Sequence, residues 1–121
     1  MTAERIRIEY VRLDEAVLWE DNPKLHDLGA LIQSIEKHGF RDAPVYDSTL
    51  GATIAGNGRL TALHMMMQQG YELPRGIALD AGDGMWCVPI QFGIDAESLA
   101  QALAFAVDHN NLVVTGGDTE V

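Results

Sequence analysis

Residues Arg5-Ile6-Arg7-Ile8-Glu9-Tyr10-Val11 alternate charged and apolar side chains, the period-two signature of a strand with one buried face. No period is clear from Leu13 to Asn22, and Asn22-Pro23 marks a turn, because proline restricts the residue before it. At Asp27 the spacing becomes helical: Leu28, Leu31, Ile32 and Ile35 share a face, Asp27 can cap the N-terminus, and Gly39 stands where a left-handed residue ends a helix. Two apolar runs, Pro44–Asp47 and Ala52–Ala55, flank Ser48-Thr49-Leu50-Gly51 and predict a hairpin that bends at its glycine. A second helix is expected from Arg59 to Gln69, with Leu60, Leu63 and Met67 on one face and Gly70 as its stop. Its run Met65-Met66-Met67 reads as core filler, since a flexible thioether fits irregular gaps.

The segment from Leu73 to Gly84 reads as loop, and its excursion Asp80-Ala81-Gly82-Asp83-Gly84 lacks the spacing and terminal Glu of a calcium loop. Trp86–Phe92 reads as a strand whose Pro89 predicts an edge or a bulge. A last helix is expected from a cap at Asp95 to about Asp108, turning Leu99, Leu103, Ala106 and Val107 to the core. These signals predict one α+β domain over residues 1–112, a small mixed sheet with packed helices, and a flexible tail over 113–121.

The 121 residues suffice to bury about two-thirds of the unfolded surface without metals or disulfides. No apolar run approaches a membrane span, the N-terminus opens on a charged strand rather than a signal peptide, and the single Cys87 suits a reducing compartment. A cytoplasmic location is the expectation. A formal charge of −10 repels a phosphate backbone, so the domain by itself is a poor candidate for tight non-specific DNA binding, although a local cluster can still hold a small anion. Lys24, Arg41, Arg59 and Arg75 are the cations available for one.

The stretch Ala52-Thr53-Ile54-Ala55-Gly56-Asn57-Gly58-Arg59-Leu60 reads as a strand breaking through a glycine-bracketed turn into a helix. Glycines let the backbone approach a ligand, the first helical turn offers unpaired N–H groups, and Arg59 adds a planar fork of donors suited to phosphate. The four histidines, His26, His38, His64 and His109, form no recognised zinc spacing, and no metal site is expected. His38, in a last helical turn, reads as structural.

The order of these signals is itself informative: a first strand, Asn22-Pro23, a helix closing on Ser34-Ile35 and Gly39-Phe40, Pro44-Val45, Ile54-Ala55-Gly56-Asn57-Gly58-Arg59-Leu60, Val88-Pro89-Ile90 and Asp108-His109-Asn110. Over residues 5 to 112 this order resembles the ParB/sulfiredoxin superfamily, specifically its ParB N-terminal-like (ParB-like nuclease) domains. The resemblance implies a site where the Gly-x-x-Arg turn and the following helix hold the phosphates of CTP, ATP or ADP, with Mg2+ as an accompanying ion. Carried over, Gly56, Asn57, Gly58 and Arg59 form the phosphate cradle, Thr61 adds a hydroxyl, and Lys24 and His26 face the nucleotide. Glu36, Asp42 and Asp108 are the candidate carboxylates for metal-assisted chemistry; Asp108, in the closing Asp-His-Asn, has the best claim to a catalytic role, and its other role is to bond the helix end.

Departures from the family pattern limit the activity. Sulfiredoxin needs a nucleophilic Cys directly after the first glycine of the turn, where this chain has Asn57, so sulfiredoxin chemistry is not expected. Chromosome-partitioning members have Glu in the turn and a further Arg, replaced here by Asn57 and Gly58, which removes an evident group for metal binding or base chemistry. Three readings follow: a nucleotide-binding domain of DNA-processing or partitioning machinery with NTPase or nuclease activity; an interaction module of the same fold without turnover; and an ATP-dependent small-molecule kinase. The expected partners are the nucleotide and, indirectly or through a partner protein, DNA, with a homodimer among the possible assemblies and no membrane.

Overall fold

The computed structural model describes residues 4–19 and 27–120, the side chains of 110–120 excepted. Its elements are β1 (Arg7–Arg12), a 3-10 turn (Leu13–Glu15), α1 (Leu28–His38), β2 (Val45–Asp47), β3 (Ala52–Ala55), α2 (Asn57–Gln68), β4 (Ala78–Leu79), β5 (Trp86–Phe92) and α3 (Leu99–Glu120). This is a small α+β fold built on one mixed five-stranded sheet. The strand order is β1-β5-β2-β3, with β4 also pairing with β5; β5 runs antiparallel to β1 and β4 and parallel to β2.

Helices α1 and α2 cover one face of the sheet. Ile32, Ile35, Leu60, Leu63 and Met66 meet Trp86, Val88 and Ile90 there, and Leu13 closes the cluster. A second cluster, Ile54, Ala55, Ala102 and Ala106, seats α3 against β3. Strand β2 divides the two, with Tyr46 packed on the first and Val45 on the second. The α1 signals act as the sequence predicts: the Asp27 carboxylate accepts from the Ala30 N–H, and Gly39 ends the helix at φ +84°.

Five expectations about Pro89, β1 and α3 need correction, and the segment expected as loop carries β4. Pro89 lies in the central strand rather than at an edge. The Gln91 N–H points towards β2 and donates to Pro44 O at 2.8 Å, so residue 89 has its amide position on that same side, in the gap between β4, which pairs at Trp86 and Cys87, and β2, which pairs at Gln91. No ladder bond is lost there. The apolar row of β1 does not face the core either: Ile6, Ile8 and Tyr10 are 57, 50 and 55 % exposed, and on the opposite face only Val11 packs against the core cluster.

The third concerns α3, which buries Ala102 and Ala106 and exposes Leu99, Leu103 and Val107. Small side chains let the helix backbone approach Ile54 and Ala55. Its cap is also different, since Ser98 Oγ accepts from the Gln101 N–H while Asp95 accepts from the Ser48 N–H in the β2–β3 turn. Finally, α3 continues to Glu120 where an end near Asp108 and a tail from Val113 were expected; the segment has no proline, and Gly116-Gly117 costs a helix only about 1 kcal/mol per residue. No helix among the described residues is long and apolar enough to cross a membrane.

Candidate functional site

Strand β3 is buried along its length and enters Gly56 at φ +92°. Only glycine fits this point, because the left-handed conformation strains any other residue and a Cβ would lie 2.8 Å from both Cα and Cβ of Pro44. Gly56 O then accepts the Leu60 N–H at 3.1 Å, so the amides of Asn57, Gly58 and Arg59 have no carbonyl acceptor within the helix. Their partial positive charge lies at the end of α2 that favours an anion.

A cleft of about 480 Å³ opens at this helix end. Gly56 and Arg59 line it from the turn, Arg41 and Asp42 from the segment after α1, Gln91 from β5 and His109 from α3. A smaller hollow of about 250 Å³ shares Arg41, Asp42 and Arg59 and is bounded by Ser34 and His38 of α1. Arg59 Nη2 lies 3.3 Å from Asp42 Oδ2, with the two side chains 34 and 73 % exposed. Such an exposed pair contributes little stability, so Arg59 stays available to a stronger anion. Two guanidinium groups against one carboxylate leave the cleft locally positive in a molecule of net charge −10. At contact range these near charges outweigh distant ones, which cellular salt screens beyond about 8 Å.

The residues expected from the sequence divide. Gly56 and Arg59 line the cleft. Asn57 does not: its buried amide donates from Nδ2 to Thr53 O at 2.9 Å and accepts the Trp19 N–H on Oδ1 at 2.8 Å, tying the segment before residue 20 to the β3–α2 turn. Gly58 is buried beside it. The Thr61 hydroxyl donates to Asn57 O at 3.0 Å, a bond within the helix. Asp108 is exposed on α3 outside the cleft lining, whereas the next residue, His109, reaches it. Lys24 and His26 lie outside the described residues, as does Asn22-Pro23.

Gln91 and His109 were not singled out for the cleft from sequence: one is a polar residue in an apolar strand, and in the closing Asp108-His109-Asn110 it is Asp108 that was read as functional. Their position depends on the packing of β5 and α3. Among the described residues no three His, Cys, Asp or Glu side chains converge to hold a metal. Burial pushes the Cys87 thiol above its ordinary pKa, which disfavours the reactive thiolate. Burial also lowers the pKa of His64, favouring its neutral form. Comparison of the chain with protein-family models, with curated proteins and with solved structures finds no match.

Proposed function

We propose that the cleft at the α2 N-terminus binds a nucleotide, CTP or ATP with Mg2+ on its phosphates, and that the chain serves DNA-processing or partitioning machinery in that state. The observation that supports this reading is the convergence of Arg59, Arg41 and His109 on a helix end whose first amides have no intrahelical acceptor. The order of motifs shared with ParB-like domains supports the choice of nucleotide over other anions. A second reading, binding without turnover, is favoured by Asn57. Its amide is committed to Thr53 and Trp19, so the turn presents backbone and Arg59 but no free ionisable side chain of its own beyond that arginine. For a kinase, nuclease or NTPase, Asp42 is the carboxylate in position, since it lines the cleft and Asp108 does not.

Thermal unfolding in the presence of CTP, ATP, ADP or GTP with magnesium tests the proposal. A ligand at a hundredfold excess over its Kd adds about 2.7 kcal/mol, a rise on the order of 10 °C for a domain of this size. Arg59→Ala is expected to abolish that rise while leaving the unliganded Tm nearly unchanged. If no nucleotide raises the Tm, the reading fails; if the rise survives Arg59→Ala, the site lies elsewhere. Nucleotide hydrolysis that is lost in Asp42→Asn with binding retained would decide for turnover.

A further inference from the structure

We infer that β1 is the seam of a homodimer, in which two copies pair antiparallel about a two-fold axis at Ile8 and join their sheets edge to edge. Strand β1 ends the strand order, and among the described residues only β5 pairs with it, so its other edge presents N–H and C=O groups without strand partners. One face of that edge carries the row Ile6, Ile8 and Tyr10, each half or more exposed. The other carries Arg7 and Glu9, joined to each other by an ion pair along the strand and 60 and 54 % exposed.

The sequence around Ile8 is self-complementary in charge. With Ile8 opposite Ile8, Arg7 of each copy faces Glu9 of the second copy, and Ile6 faces Tyr10. Opposite charges and apolar pairs directly across an antiparallel ladder are favourable, whereas like charges so placed are destabilising. Sliding one strand by two residues sets Arg7 against Arg7 or Glu9 against Glu9. Sliding it by one breaks the two-fold symmetry and puts Ile8 beside a charge. The pairing ends near Tyr10, because Arg12 already has Asp14, Asp80 and Asp83 around it, and Glu4 of the second copy would add a further carboxylate there. A second copy fits this edge better than an unrelated strand because the same five residues supply both halves of every pair.

The test is sedimentation equilibrium of the whole chain from micromolar to millimolar concentration, with the wild type, Arg7→Glu, Glu9→Arg and the double variant that carries both. The wild type is expected to dimerise reversibly. Each single variant places like charges across the seam and should associate more weakly by roughly tenfold or more. Mixing the two single variants pairs an all-acidic with an all-basic strand and should restore dimers, and the double variant should dimerise like the wild type. A wild type that stays monomeric throughout, single variants that dimerise unchanged, or a mixture that fails to associate would each overturn the inference. Because both side chains are exposed, rescue in the mixture also shows that the single variants are folded.

Discussion

Asn57 stands where the chain turns from β3 into α2, and its side chain is bonded to the protein on both ends of the amide. Removing it by Asn57→Leu keeps the volume and leaves the buried Thr53 O and the half-buried Trp19 N–H without these partners. An orphaned buried group costs about 1–3 kcal/mol, so a loss of about 2–4 kcal/mol in urea unfolding is expected. Arg59, two positions on, should behave in the opposite way. Its exposed contact with Asp42 predicts a change within about 0.5 kcal/mol for Arg59→Ala, with the ligand response carrying the effect. If Asn57→Leu unfolds at the wild-type urea midpoint, the amide is not a structural tie. The two neighbours look alike in the sequence, as polar residues in a glycine-bracketed turn, because their separation depends on which way each side chain leaves the first helical turn.

At the level of elements, the 3-10 turn, β1 and the β4–β5 connection are joined through a single guanidinium. Arg12 bonds Asp14 at 3.0 Å, Asp80 at 2.9 Å and Asp83 at 2.8 Å, and these carboxylates hold it protonated. The Arg12 guanidinium, helped by the Met85 N–H, holds Asp83 down to about 2, and the Gly82 N–H, with Arg12, lowers Asp80 as well. A carboxylate whose pKa falls on folding contributes stability above its ordinary value of 3.8, and that contribution is lost as pH drops through its folded value of about 2. The urea midpoint should therefore decline between those two values, and Asp83→Asn should decline less steeply; equal slopes would show that the cluster does not couple to folding. Exposure of these groups keeps the effect small. Helix α1 was legible from Asp27 and Gly39 because both act within one turn of chain. The inward faces of β1 and α3 were not, because period-two and helical spacing identify an apolar row without saying that the sheet will cover it. On α3 the row that packs is the small one, Ala102 and Ala106; the helical spacing identified Ala106, but it grouped it with the larger Leu99, Leu103 and Val107, which stay exposed, and passed over Ala102.

Over the whole molecule, the charge sets what the cleft can recruit. Gly56 and Arg59 were readable because the turn is contiguous, whereas Arg41, Gln91 and His109 arrive from three other segments and are brought together only by the fold. The resulting positive patch is small and open to solvent. It suits a few phosphates of one nucleotide, while duplex DNA carries one negative charge per 1.7 Å or so of its length and would meet the full −10 of the protein. Among the described residues outside the cleft, Arg12 is neutralised by its carboxylates, and Arg7 is paired with Glu9. Fluorescence polarisation with a labelled duplex at about 0.15 M salt is therefore expected to show no binding, with or without CTP or ATP, under conditions where the nucleotide still raises the Tm. Edge-to-edge pairing at β1 doubles the acidic charge without creating a basic surface, so the dimer should behave in the same way. Association with DNA that weakens steeply as salt rises would contradict this account, since such a slope counts phosphates neutralised by lysine and arginine and would require a basic face outside the cleft. If DNA binding is absent from the chain alone and gained on adding a basic partner, the negative surface itself becomes the docking charge, and the cleft proposed for the nucleotide is left free.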